Sequence, residues 1–159
     1  KDLPEAEVWC PKLVVALLTA SEVEEARKVL SETTSKATEV VYSRALLAFV
    51  DSKVEMGSIQ EEDAPAPLAE AITINPYIAD ILATLDTFTA TTTPQQLEGA
   101  RCGIGLEGYA GSVEEALVYI ADASLLWVDR EGMEDWVTDG VAEFGQPSSI
   151  SNPRSCVKK

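Results

Sequence analysis

Histidine is absent from the 159 residues of this chain. Histidine is the side chain most often used as a general base at neutral pH, and it is the commonest metal ligand in proteins. Its absence excludes Ser-His-Asp triads, Cys-His pairs and histidine-bound metals together. We therefore expect a protein that is not an enzyme and that uses no metal and no cofactor.

Cysteine is scarce, with only Cys10, Cys102 and Cys156, and no two of them form a Cys-x-x-Cys pair. An odd number of widely spaced thiols argues against a disulfide framework and against a structural zinc site. We predict that the three thiols are reduced. Reduced thiols are typical of an intracellular protein, either cytoplasmic or in an organellar matrix.

Long apolar runs are also lacking, because none approaches the length of a membrane-spanning helix. We expect no direct membrane insertion. No signal peptide is recognisable, and the first residue is Lys1 rather than methionine. Because the first residue is not methionine, we expect a mature or trimmed product.

Basic residues are few: 12 lysines and arginines face 27 acidic residues, so the net charge is -15. A protein that binds a phosphate backbone must replace condensed counterions with basic side chains, and nucleic acid is therefore not an expected partner. Anionic lipid is disfavoured for the same reason. An acidic surface favours solubility and partners of opposite charge. We expect other proteins as partners, with a basic patch.

The composition that remains is that of a globular domain. Hydrophobic residues make up 46% and charged residues 25%, and the length suggests one domain. We assign residues 1–145 to this domain. Residues 146–159 contain proline, serine, asparagine and basic residues, a composition that predicts a flexible C-terminal tail.

Apolar residues recur three and four positions apart, which predicts an all-α fold of six to eight helices. Residues 13–18 and 40–50 are apolar on nearly every face, whereas Val23, Ala26 and Leu30 form a narrow stripe. Helices of these two kinds alternate along the chain. We therefore predict stacked antiparallel helix pairs in an irregular tetratricopeptide-like solenoid.

Local signals predict where several helices begin. Four capping sequences are expected to start helices, and they centre on Ser21, Asn75-Pro76, Thr93 and Ser112. Asp129 is the expected cap of the last helix. Residues 56–63 and the glycine-rich residues 99–111 read as loops, and residues 87–93 read as a turn or a short strand.

The spacing of small residues supports the repeat interpretation. The tetratricopeptide pattern of small, apolar and small residues followed by proline is met by Ala64, Leu68, Ala71 and Pro76. Ala26 and Leu30 meet its first two positions. Small residues at these points allow helices to approach closely.

Several sequence blocks resemble a known family. They are residues 42–49 (Tyr-Ser-Arg-Ala-Leu-Leu-Ala-Phe), Ala71 with residues 75–78 (Asn-Pro-Tyr-Ile) and Leu82, Glu115-Ala116 with Tyr119, and Trp127 with Gly132 and Trp136. Over about residues 8–137, their order and spacing resemble the suppressor-of-tumorigenicity-7-like family of tetratricopeptide-like proteins. Ala79 stands where that family usually has proline, and Tyr77 where it has histidine. The resemblance implies a helical-repeat fold and carries over no catalytic residue.

Residues 103–108 spell Gly-x-Gly-x-x-Gly. A dinucleotide site needs a strand before this motif and a helix that opens inside it, and neither is predicted here. We interpret the segment as a connector. The acidic run at residues 61–63 lacks the spacing of a calcium loop and is interpreted as a solvated turn.

Two functional hypotheses follow. The first is a non-catalytic protein–protein interaction module or accessory subunit of a larger assembly, with Trp9, Tyr42, Arg44 and Tyr77 as partner-binding residues; ordinary packing of the tyrosines and an ion pair of Arg44 are the alternatives. The second is a small-ligand-binding or enzymatic helical domain. An exposed groove or apolar patch would favour the first, and a closed pocket with converging polar groups would favour the second.

Overall fold

The computed structural model describes residues 5–54, 65–85, 93–104, 108–128 and 130–145. This part of the chain is helical and contains no strand, which confirms the all-α prediction. Its α-helices are α1 (Glu5–Thr19), α2 (Val23–Glu32), α3 (Thr38–Val54), α4 (Pro65–Ile74), α5 (Pro76–Leu82), α6 (Pro94–Arg101), α7 (Val113–Ala123) and α8 (Met133–Phe144), and a 3₁₀ turn at Ser124–Leu126 follows α7.

The turn between α1 and α2 differs from its prediction. Ser21 has φ 63°, and Glu22 is the N-cap of α2 without a side-chain capping bond. The N–H groups of Ser21 and Glu22 donate to the carbonyls of Leu18 and Leu17. This is the Schellman pattern that ends a helix. Ser21 therefore terminates α1 instead of capping α2, because the chain must reverse at once.

Helix α3 forms the centre of the fold, and it packs against α1 and α4. Its buried residues point in all directions around the helix, as the sequence predicts for a helix that is apolar on nearly every face. They include Val40, Val41, Tyr42, Ala45, Leu46, Leu47 and Phe49.

Two arginines join α2 to α3. Arg27 donates from Nη1 and Nη2 to the two carboxylate oxygens of Asp51, at 2.8 and 2.5 Å. Arg44 donates from Nη2 to the carbonyls of Leu30 and Thr33, at 3.2 and 2.6 Å. Those carbonyls lie at the C-terminal end of α2, where the helix has no internal donors for them.

Helix α8 packs against α4 and α5. Gly140 of α8 lies directly on the side chain of Leu68, so that even a Cβ atom at this position would collide with it. The glycine thus allows α4 and α8 to approach closely.

The predicted caps are partly confirmed. Thr93 forms a full capping box with Gln96, and the Ser112 hydroxyl accepts from the Glu115 N–H. The last helix differs, because its N-cap is Gly132 with φ 78°, and not Asp129. Helix α6 continues through Gly99, so the predicted glycine-rich loop begins only after Arg101.

The packing also joins helices that are distant in sequence, since α1 contacts α7 and the 3₁₀ turn. The all-helical architecture is shown, and its arrangement as a tetratricopeptide-like solenoid stays a prediction. The expectations for residues 56–63, for residues 87–92, for the tail at 146–159 and for Cys156 fall outside the described residues. In the described part, Cys10 is buried, Cys102 is exposed, and both are free thiols.

Candidate ligand-binding cavity

A cavity of about 500 Å³ lies between the C-terminal half of α1, the first turn of α3 and α7. Ile104 and Tyr109, from the connection between α6 and α7, complete its wall. The lining residues are Lys12, Val15, Ala16, Thr19, Ala20, Thr38, Glu39, Ile104, Tyr109, Glu115, Val118, Tyr119, Asp122 and Ala123.

The cavity has a buried floor and an exposed rim. Thr38, Tyr119 and Ala123 are buried at its base, whereas Lys12 and Asp122 are exposed. Ligands can therefore enter from solvent without the helices separating. Much of the wall is apolar, with valine, isoleucine and alanine side chains, and the small alanines leave the space unfilled.

The floor is held rigidly by aromatic packing. Trp127 Nε1 donates to the Tyr119 hydroxyl at 3.0 Å, and the Tyr119 ring centroid lies 5.4 Å from that of Tyr42. Burial raises the pKa of Tyr119 far above its usual value, although the hydrogen bond from Trp127 opposes this. Tyr119 is therefore a neutral phenol at any physiological pH.

Glu115 is fixed at one side of the cavity by neutral donors. Its Oε2 atom accepts from Asn75 Nδ2 at 2.9 Å and from the Gly111 N–H at 2.7 Å. Gly111 has φ +75°, a left-handed conformation that favours glycine, and a Cβ here would lie 3.1 Å from the Ile74 carbonyl. Asn75 in turn donates to the Ser112 carbonyl at 3.1 Å. The carboxylate is thus anchored by the connection that precedes α7.

Glu39 lies in the first turn of α3 and is half-buried. Burial raises its pKa above the usual value, and the neighbouring charges of Glu115 and Asp122 add to the rise. Its own backbone N–H and the charge of Lys12 oppose it. Glu39 is therefore a carboxyl group whose charge is poorly solvated and repelled by two others.

Asp122 differs from the other two carboxylates because it has a cationic partner. Arg101 Nη2 donates to Asp122 Oδ1 at 3.1 Å, and both side chains are about half exposed. This ion pair joins α6 to α7 at the rim. Solvent screening keeps its contribution to stability small.

Two buried hydroxyl groups at the cavity lack hydrogen-bond partners among the described residues. They are Thr38 Oγ1 and the Tyr109 hydroxyl. Thr38 is only 2% exposed. Burial also raises the pKa of Tyr109, so its hydroxyl stays protonated. An unpaired buried hydroxyl costs about 1–3 kcal/mol, and no partner among the described residues offsets this cost at either position.

The residues predicted to bind a partner do not come together at this cavity. Tyr42 lies in the core, 0% exposed, and its hydroxyl donates to the Asn75 carbonyl at 2.6 Å. The structure therefore contradicts the expected surface position of Tyr42. Arg44 is half-buried and donates to carbonyls at the end of α2, and it forms no ion pair with another described residue. Tyr77 packs partly against the core. The side chain of Trp9 is outside the described residues.

The sequence patterns did not indicate which residues line the cavity. Glu39 carried a weak signal, because it is a charged residue beside residues 40–50, which are apolar on nearly every face. Glu115 was recognised only as part of a cap. Thr38 and Tyr109 carried no signal, since their lack of partners depends on how distant helices pack.

The other chemical motifs can be followed only where the structure describes their residues. Within the described ranges, no group of three acidic or cysteine side chains is arranged to hold a metal ion. Residues 105–107 of the glycine motif lie outside those ranges. The helix after it begins at Val113, beyond the motif, as the connector interpretation expects. No helix in the described part is long and apolar enough to cross a membrane.

Comparisons with known proteins add no family to this picture. No protein-family model matches the chain, and no curated protein or solved structure matches it significantly.

Proposed function

We propose that this chain is a non-catalytic binding protein whose cavity takes up a small, largely apolar organic molecule. The observation that carries the proposal is a concave, largely apolar wall beside which the half-buried carboxyl groups of Glu39 and Glu115 supply the polar groups. Binding sites for small molecules are typically concave, largely apolar and of about 300–1,000 Å³, with a few polar groups that orient the ligand.

The described geometry supports binding more than catalysis. A hydroxyl nucleophile needs a base within hydrogen-bond reach. The Thr38 hydroxyl has no acceptor among the described residues, and the Oε2 atom of Glu115 already accepts from the Asn75 amide and the Gly111 N–H. Glu115 is thus held as a fixed charge.

The interaction-module hypothesis stays a prediction, with a basic protein as the expected partner. Leu125 is the observation that favours it, because this side chain is 82% exposed beside Val128, which is 36% exposed. Exchange of Leu125 for serine would lower the native mass of an assembly that depends on this contact. An unchanged native mass would remove this support.

Binding can be tested with 1-aminoanthracene, an apolar dye whose fluorescence rises in a dry site. We expect saturable binding to the wild type and displacement by octan-1-ol. Ala16→Phe places a ring in the cavity from an exposed helix position, so it should weaken dye binding about tenfold or more, a loss of roughly 1.4 kcal/mol.

Ala142→Phe is the matched control, since Ala142 is also an exposed helical alanine but lies on α8, outside the cavity. It should bind the dye as the wild type does. Equal binding by wild type and both variants would place the dye elsewhere, and absence of binding would contradict the proposed function.

A further inference from the structure

Negative charges outnumber positive charges around the cavity, and this excess determines which ligand it accepts. Three carboxylates line it, from Glu39, Glu115 and Asp122, against the single ammonium group of Lys12. Arg101 offsets the charge of Asp122 from outside the lining. In the described part of the chain, neither Glu39 nor Glu115 forms a salt bridge.

The hydrogen-bonding groups of the cavity also favour a positively charged ligand. An ammonium group offers three donors and no acceptor. The half-buried carboxylates of Glu39 and Glu115 line the cavity and can accept from it. An anionic ligand would meet Lys12 at the rim, but it would be repelled by the two carboxylates without a cationic partner.

We propose that the cavity binds a small organic cation, an alkylammonium compound whose ammonium group lies beside Glu39 and Glu115 and whose apolar body lies against Ala16, Val118 and Ala123. This inference rests on the proposed function and specifies its ligand. The volume of about 500 Å³ lies within the range of sites for small molecules, so we infer a free small molecule as the occupant.

The arrangement also predicts how binding depends on pH. The titratable groups that face Glu39 are Lys12 from α1, Tyr109 from the connection, and three residues of α7, which are Glu115, Tyr119 and Asp122. A bound cation relieves the repulsion among the carboxylates and favours the ionised form of Glu39. Affinity for the cation should therefore fall as the pH drops through the raised pKa of Glu39, whereas affinity for a neutral ligand should not.

The test compares octylammonium, octan-1-ol and octanoate, which share one apolar body and differ in charge. Each displaces 1-aminoanthracene from the full-length protein at pH 7. We expect octylammonium to bind about tenfold more tightly than octan-1-ol, the size of one favourable half-buried charge interaction, and octanoate to bind most weakly. Glu39→Gln should remove most of the octylammonium preference, measured as the ratio of the octylammonium affinity to the octan-1-ol affinity of the same variant.

Glu143→Gln is the control for loss of one negative charge, because Glu143 is an exposed residue of α8 outside the cavity. It should keep the wild-type preference. Equal affinity for octylammonium and octan-1-ol would overturn the cation inference and leave the proposed function standing. Failure of every ligand to displace the dye would overturn the proposed function itself.

Two further results would also overturn the inference. Tightest binding of octanoate would show that Lys12 governs the site. Binding of N-acetyl-lysine amide as tight as that of octylammonium would assign the cavity to a partner's lysine side chain instead of a free amine.

Discussion

Small residues occupy the helix contacts at two places in this fold, with opposite results. Between α4 and α8, Gly140 lies directly on Leu68 and the contact is closed. Between α1, α3 and α7, the alanines at 16, 20 and 123 line an open cavity. The difference is the neighbouring charge. Leu68 fills the space beside the glycine, whereas Glu39 and Glu115 cannot be covered by apolar groups without a large desolvation cost. Small residues therefore close a contact only where the facing residues are apolar.

Truncation of a side chain to alanine should give the largest difference in stability between the two places. Leu68→Ala removes a side chain that is 1% exposed and packed against α8, so we expect the free energy of unfolding to fall by about 2–5 kcal/mol. Val118→Ala removes methyl groups that already face open space, and we expect a loss of about 1 kcal/mol or less. Urea denaturation measures both. Equal losses would mean that the cavity is closed in solution.

Replacing a small residue by a larger one should also affect the two places differently, by a smaller amount than truncation does. Gly140→Leu forces atoms into the closed contact with Leu68, which should cost about 1–3 kcal/mol. Ala16→Leu adds the same side chain to an exposed position that faces the cavity, and the effect on unfolding should stay within about 0.5 kcal/mol. A strong destabilisation by Ala16→Leu would contradict the open volume.

Removal of an unpaired hydroxyl should stabilise the protein without ligand. Thr38→Val keeps the shape of the side chain and removes an oxygen without a described partner, so we expect the free energy of unfolding to rise by about 1 kcal/mol. Thr73→Val is the control, because its hydroxyl is exposed and donates to the Ala69 carbonyl at 2.9 Å. Thermal unfolding compares them. A loss of stability in Thr38→Val would show that this hydroxyl has a partner in solution.

The smallest effect concerns pH. Because the pKa of Glu39 is raised by folding, the folded state holds this proton more tightly than the unfolded state. The resulting stabilisation is full below the unfolded pKa and is lost as the pH rises through the raised, folded value. Glu39→Gln does not titrate. The variant should therefore gain stability relative to wild type between about pH 4, close to the unfolded value, and pH 7.

Denaturation at the two pH values checks this, with Glu143→Gln as the charge control. A relative gain by Glu39→Gln at the lower pH would reverse the sign and contradict the burial of this carboxyl.

Local signals predicted much of the fold. The stripe at Ala26 and Leu30 and the uniformly apolar residues 40–50 became α2 and α3, and the caps at Thr93 and Ser112 lie where the sequence indicated. These features depend on neighbouring residues alone. The caps predicted at Ser21 and Asp129 were wrong. Ser21 and Gly132 adopt left-handed conformations where the chain turns between packed helices, and the N-caps are Glu22 and Gly132.

The cavity could not be predicted in this way. It forms where α1, α3 and α7 meet, and residues such as Ala16 and Ala123 are far apart in sequence. Tyr42 shows the same limit. A tyrosine with a bonded hydroxyl in the core and a tyrosine on a binding surface have the same local pattern, and only the distant Asn75 carbonyl distinguishes them.

The most direct test of the ligand cavity is a measurement of intermolecular nuclear Overhauser effects between octylammonium and the protein. We expect contacts from the octyl chain to the methyl groups of Ala16, Val118 and Ala123, and none to Leu68. Bound octylammonium with contacts on α4 or α8 and none in the cavity would contradict it.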